Sequence, residues 1–247
     1  YSEELPGLAL GRIKTDPNFD LNFDVICVDE FQDIASKPKV VETLFRYFRD
    51  SPDFDPQVIL AADDWQQIMN DDDERDSWGV AKDIFPDLVH IRLVSNVRQS
   101  PMLSNSIYEF LEWTKWKPKQ NMSKDLPWAF DVIRTKVSQE SKDLAKTLRE
   151  LCERYSPEQI RVLSPRFGGE SLLNKVFSSV PENADERWLR KNLRHSSSDG
   201  KIRWRSIPKF KGLESDVVVI TDINADTELW LQDRGLVLDN MLYVGMT

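Results

Sequence analysis

Apolar residues along the chain come in two rhythms. Short apolar runs at 23–28, 57–62, 88–94, 129–137, 159–163, 202–207 and 216–221 have the length and β-branched content of strands, and the first two read as buried strands ending in acids. Between them, apolar positions recur at helical spacing. Val40, Val41, Leu44, Phe45 and Phe48 mark a helix over 39–48, Pro101 opens one reaching residue 113, and 141–155 is amphipathic. Further helices are predicted over 170–180, 185–193 and from 239 onward, with an acidic loop at 71–74 and a polar turn at 196–200. Strands that alternate with helices predict an α/β fold, in which parallel sheets are flanked by helices.

Length and composition narrow the class. A chain of 247 residues suits one large α/β unit or two smaller ones. At 40% hydrophobic residues it has material for a packed core, which excludes wholesale disorder. No apolar run approaches the ~20 residues of a membrane span, so no membrane partner is expected. Two cysteines, Cys27 and Cys152, and two histidines, His90 and His195, exclude a disulfide framework and a Cys- or His-rich metal centre.

Charge is distributed unevenly. The formal net charge is -9, but residues 1–95 carry nine basic against 21 acidic side chains, whereas residues 96–247 carry 24 against 21. A domain boundary is therefore placed near 94–98, giving domains 1–95 and 96–247. The stretch 187–211 holds nine basic residues, one acid (Asp199), and Trp188 and Trp204. A smaller cluster comprises Trp113, Lys115, Trp116, Lys117 and Lys119. Cations interleaved with aromatic rings suit a single-stranded nucleic acid, phosphates meeting cations and bases meeting rings. The alternative is a solvated helix face beside a strand whose Trp residues are core. The nucleic-acid candidates are Arg194, Lys201, Arg203, Arg205 and Lys209.

Five segments carry candidate chemistry. Residues 24–33 read Asp-Val-Ile-Cys-Val-Asp29-Glu30-Phe-Gln32-Asp33, a strand that delivers adjacent carboxylates to its C-terminal end, where open α/β sheets bind ligands. One acid can hold Mg²⁺ through water and the other can polarise an attacking water. An ordinary acidic turn is the alternative. The second segment, 58–68, repeats the strand-to-acid pattern and adds Gln66. The others are Asn96-Val97-Arg98, then Lys211-Gly212-Leu213-Glu214, then Leu242-Tyr243-Val244-Gly245-Met246-Thr247.

In this order the segments resemble motifs II to VI of superfamily-1 helicases of the UvrD/Rep type. Asp29-Glu30-Phe31-Gln32-Asp33 resembles the DExQD box, and Ala62-Asp63-Asp64-Trp65-Gln66 the GDxxQ box. Asn96-Val97-Arg98 is similar to the NYR box. Lys211-Gly212-Leu213-Glu214 matches KGLE, and 242–247 resembles LYVAxTR up to the residue before its arginine. The resemblance implies a P-loop NTPase fold of two RecA-like domains, the first incomplete, that bind ATP and Mg²⁺ between them and act on single-stranded DNA or a partial duplex. It implies that Asp29 coordinates the metal and Glu30 is the general base. Gln32 and Gln66 would sit beside the γ-phosphate, and Arg98 would reach it from the second domain. Lys211, Gly212 and Glu214 would bind nucleotide, with Glu214 on the ribose. It implies a cytoplasmic, bacterial-type or nucleoid-associated location, and a role in DNA repair.

The chain departs from that pattern at several positions. No G-x-x-x-x-G-K-[ST] occurs; Gly7 and Gly11 precede Lys14-Thr15, but the Gly-Lys step is absent. Ala62, Val97 and Pro208 stand where the family has Gly, Tyr and His, and Met69 and Asp71 stand at its base-contacting aromatic positions. Arg98 and Lys211 are 113 residues apart, too close for the bulky insertion of large members. The chain begins with Tyr1 and ends at Thr247. The expectation is a portion of a larger enzyme that hydrolyses ATP poorly by itself. The rival readings are a degenerate, non-catalytic helicase-like interaction module and an ATPase that works with a fused or partner nuclease.

Overall fold

A computed structural model describes residues 25–35, 37, 41, 57–67, 77–93, 95–96, 98–112, 120–121, 129–195 and 200–247. The expected helix over 39–48 (apart from Val41), the acidic loop at 71–74, the Trp113–Lys119 cluster and nearly all of the polar turn lie outside these residues. So do Gly7, Gly11, Lys14, Met69 and Val97. The chain divides into two compact units, Tyr1–Arg92 and Leu93–Thr247.

In the first unit, strand β1 (Val25–Val28) pairs in parallel with β2 (Gln57–Leu60). The short helix α1 (Phe31–Ala35) follows β1 directly, and α2 (Ser77–Ile84) packs beside it. Phe31, Val41 and Ala81 form the buried centre, with Val28, Ile34, Leu60, Phe85 and Leu88 packed around it. Both strands alternate exposed and half-buried positions, not the continuous burial expected from their sequence. Among the described residues two strands pair in this sheet.

The second unit begins with the two-residue strand β3 (Ser95–Asn96), which pairs in parallel with β4 (Gln120–Asn121). Helix α3 (Pro101–Phe110) lies between them in sequence. Ser100 caps it by accepting from Leu103 N at 3.2 Å, and Pro101 occupies its first turn, where no backbone donor is needed. The central sheet has four parallel strands in the order β6 (Leu193–Arg194), β7 (Ile202–Ser206), β5 (Ile160–Ser164), β8 (Val217–Ile220). Helices α4 (Glu140–Cys152), α5 (Leu172–Ser178) and α6 (Ala184–Asn192) cover one face. There Leu148, Ile160, Val162, Leu189, Ile202 and Trp204 interlock in a single apolar cluster. Helix α7 (Ala225–Gln232) starts at an Asn224–Thr227 capping box. Helix α8 (Leu238–Met246) ends the chain; Tyr243 brings its hydroxyl within 3.5 Å of that of Tyr108 on α3.

Two expected strands do not form. Residues 88–93 have no ladder partner, and Val89, Ile91 and Leu93 are largely exposed. Residues 129–136 are likewise irregular, with Val132 and Ile133 exposed, and lead into a 3-10 turn at Val137–Gln139. Alternating apolar residues favour a strand only where a neighbouring backbone completes the hydrogen bonds. Among the described residues nothing does so at either segment.

Candidate functional site

The acidic segments of the first unit meet at the C-terminal ends of β1 and β2. The backbone builds this junction first. Ala61 N donates to Val28 O at 2.8 Å, and Phe31 N donates to Ala61 O at 2.8 Å. Asp29 Oδ1 accepts from Glu30 N at 2.9 Å. Glu30 holds φ of 54°, the left-handed region that a non-glycine residue rarely adopts. The turn aims two consecutive carboxylates away from the strand instead of continuing it.

Gln32 ties the two segments together. It is 1% exposed, and its Nε2 donates to Glu30 Oε2 at 2.6 Å while its Oε1 accepts from Asp63 N at 3.1 Å. Gln66, in the 3-10 turn Asp64–Gln66, donates to Asp63 Oδ2 at 3.2 Å. Asp29, Glu30, Gln32, Asp63 and Gln66 thus form one connected polar group at strand ends, the position at which such sheets bind ligands. Among the described residues no cluster of three or more His, Cys, Asp or Glu side chains is disposed to hold a metal by itself. One or two carboxylates at a strand end suit Mg²⁺, which usually keeps waters and takes its remaining oxygens from phosphates.

In the second unit, three segments far apart in sequence converge. Arg98 Nε lies 3.0 Å from Glu214 Oε1, and Arg98 donates through a terminal nitrogen to Thr247 O at 3.4 Å. Gln99 Nε2 donates to Met246 O at 2.9 Å. Gly212 takes φ of 75°, a turn conformation open to glycine, between Lys211 and Glu214. Glu214, Ser215 and Asp216 also border a shallow pocket of about 370 Å³ with Glu158, Gln159 and Arg161, at the N-terminal ends of β5 and β8.

The basic stretch is split. Arg194, Arg203 and Arg205 lie on β6 and β7, whereas Lys209 lies in the 3-10 turn beyond the C-terminal end of β7. Lys201 Nζ donates to Lys191 O at 2.8 Å. Trp204 is 6% exposed and stacks on Phe177 in the core, and Trp188 packs beneath the guanidinium of Arg149. The alternative stated for the Trp residues of this stretch therefore describes Trp204.

A polar group at the C-terminal ends of β5 and β8 was not singled out from sequence. Asp222 is buried at φ of 65°, where it accepts from Ser164 Oγ at 2.5 Å and from Leu172 N at 2.8 Å. Burial pushes its carboxyl above the usual range, and Glu140 adds to the shift. Glu140 accepts from Asp222 N at 2.7 Å and from Thr221 Oγ1 at 2.8 Å. Nearby, the guanidinium groups of Arg166 and Arg234 lie over Trp230, and Phe167 meets its edge. Asp-Ile-Asn after an apolar run was the only sequence sign of this group.

Among the described residues no helix is long and apolar enough to cross a membrane. No protein-family model matches the chain, and no curated protein matches it significantly.

Proposed function

We propose that the chain is the motif II to VI portion of a UvrD/Rep-like ATP-dependent DNA helicase or single-stranded DNA translocase built on RecA-like units. The observation that supports this reading is convergence. Asp29, Glu30 and Gln32 meet Asp63 and Gln66 in one unit, and Arg98 meets Glu214 and Thr247 in the other. Segments chosen for resemblance to ATP-handling boxes are thereby grouped by folding. Parallel sheets flanked by helices are compatible with the RecA-like architecture.

Each side chain has a role that its chemistry can perform. Asp29 would hold Mg²⁺, which when bound neutralises charge on the transferring phosphoryl oxygens. Glu30 accepts the proton of the attacking water, and Gln32 fixes the direction of its carboxylate. Gln66 hydrogen-bonds the γ-phosphate and relays its loss to the turn beyond β2. Arg98 offers a planar cation to the same phosphoryl group, and Glu214 accepts from a ribose hydroxyl. The basic residues of 187–211 supply contacts to single-stranded DNA.

The test uses a polypeptide that contains this sequence together with a phosphate-binding loop. Steady-state ATP hydrolysis with and without oligo(dT) should show DNA stimulation, and Glu30→Gln should lower kcat by roughly 10²–10⁴-fold while nucleotide still binds. Turnover that survives this substitution overturns the assignment of the base. Oligonucleotide binding without any turnover favours the non-catalytic module.

A further inference from the structure

The cations of the basic stretch are joined on the sheet by one that lies outside it. Arg194 pairs in register with Arg203, and Arg203 with Arg161 on β5; Arg205 is two residues further along β7. Side chains alternate along each strand. With Ile202 and Trp204 in the core, Arg203 and Arg205 point to the other face, as does Arg161 between Ile160 and Val162. Adjacent strands lie ~4.8 Å apart, so the row Arg194–Arg203–Arg161 runs about 10 Å straight across three strands.

Like charges in direct register are unfavourable, and the carboxylates of Asp216 and Glu158 offset this only in part at Arg161. Burial, then the charges of Arg203 and Arg205, hold the Arg161 guanidinium below its ordinary pKa. Among the described residues none of the four arginines forms an ion pair, although carboxylates stand close by. Their closest partners are others: Glu158 accepts from Gly200 N, Asp216 from Gln159 Nε2, and Glu214 pairs with Arg98, while Glu158 and Asp216 act on Arg161 only through space. Arg203 Nε is buried and has no hydrogen-bond partner. Arg161 and Arg194 are turned onto backbone carbonyls of their own strands or flanking residues.

α8 covers the other half of this face. A Cβ at Gly245 would sit 3.1 Å from both Ile207 Cδ1 and Ile220 Cδ1, which places the helix over the C-terminal strand ends. The arginine half is left half-buried, with Val218 as its aliphatic member on β8.

We propose that this arginine-lined half-face binds the phosphodiester backbone of a single-stranded nucleic acid, through two or three consecutive phosphates and without touching the bases. The proposal rests on the nucleic-acid reading given above and adds Arg161 to it. An acidic protein segment is the lesser fit, because protein interfaces centre on aromatic and apolar side chains and this face presents almost none. Trp204 is buried and offers no ring to a base on this face. Glu158, Asp216 and Glu214 border Arg161 at the N-terminal ends of β5 and β8 and bound the row on that side.

The test is fluorescence anisotropy of the 247-residue chain with labelled dT20 and a mixed-sequence 20-mer, from 50 to 300 mM KCl. Wild type should bind both oligomers equally. The triple variant Arg161→Gln/Arg203→Gln/Arg205→Gln should bind at least tenfold more weakly at 100 mM salt. Its slope of log affinity against log salt should fall by about 2, at ~0.7 for each phosphate that is no longer neutralised. Lys146→Ala, on α4 across the sheet, should match wild type in both. Because three substitutions can disturb folding, Arg161→Lys/Arg203→Lys is the second variant: charge persists but the fork is removed, and affinity should fall severalfold with the slope kept. Wild-type binding with an unchanged triple variant overturns the site and leaves the nucleic-acid reading standing. Absence of dT20 binding by wild type overturns both. Binding of a labelled octaglutamate peptide, but not dT20, that the triple variant abolishes would assign the face to an acidic protein instead.

Discussion

Arg98 and Glu214, 116 positions apart in the sequence, form an ion pair of 3.0 Å, with side chains 57% and 69% exposed. Both are assigned to nucleotide in the proposed function, one to phosphate and the other to ribose. An exposed pair contributes about 0–1 kcal/mol, so it holds the two side chains near each other without opposing their transfer to a ligand. Glu214→Gln should therefore shift the thermal midpoint by no more than about 4 °C. Arg98→Ala should leave folding equally intact but lower ATP turnover by about 10³-fold or more, as expected for a cation on a transferring phosphoryl group. Differential scanning fluorimetry and steady-state ATPase separate the two effects. Loss of the fold in either variant would show the pair to be structural.

Gln32 makes a different prediction because it is buried. Its amide satisfies Glu30 Oε2 on one side and Asp63 N on the other. Gln32→Leu leaves both without that partner and should cost about 1–3 kcal/mol in urea denaturation. Gln32→Glu keeps the size but places a second carboxylate against Glu30. It should raise the pH at which the acidic limb of the ATPase profile falls, since like charges favour protonation. An unchanged pH profile would mean that Gln32 does not position the base.

The elements legible in the sequence are those that contribute apolar side chains to a packed face. Helices α4 and α6 and strands β5, β7 and β8 all contribute to one apolar cluster of the second unit, so their apolar spacing records a real face. The runs at 88–94 and 129–137 have similar spacing, but a strand also needs a partner backbone, and spacing says nothing about that. Helix α7 was missed for the converse reason: Leu229 is exposed, Leu231 buried, and the apolar face is weak. Its readable sign was Asn224 before an acidic first turn. The candidate site was legible as segments because strand ends carry acids in a fixed local order. The Arg161–Arg203–Arg194 row was not, since register between distant strands sets it.

Gly245 tests how closely α8 meets the sheet. Alanine there gains about 1 kcal/mol of helix propensity. Its methyl would meet the Cδ1 atoms of Ile207 and Ile220 at 3.1 Å, and Ile207 is fully buried, so overpacking of about 1–3 kcal/mol should prevail. Gly245→Ala should therefore destabilise the chain. Ile207→Val removes one obstructing methyl. In that background Gly245→Ala should become neutral or stabilising, and a double-mutant cycle by urea denaturation would register the change of sign. Additive effects would mean that the helix can move away from the sheet.

Asp222 carries a pH dependence whose sign follows from burial. Its folded-state pKa is raised, by desolvation first and then by Glu140, while the Ser164 and Leu172 hydrogen bonds and Arg166 oppose the rise. Between the unfolded value, near 3.9, and the raised folded value, the native state binds more protons than the unfolded chain. Stability from this group is thus fully present below the unfolded pKa and is lost as pH rises through the folded pKa. Asn keeps the acceptor for Leu172 N, tolerates the left-handed backbone and does not titrate. Asp222→Asn should therefore flatten that fall in stability with rising pH, with little loss at neutral pH. Asp222→Ala strands Ser164 Oγ and Leu172 N and strains φ of 65°, and should cost about 1–3 kcal/mol at every pH. Urea midpoints of the three proteins between pH 4 and 8 give the comparison. A wild-type curve that Asp222→Asn leaves unaltered would mean that Asp222 is not the titrating group.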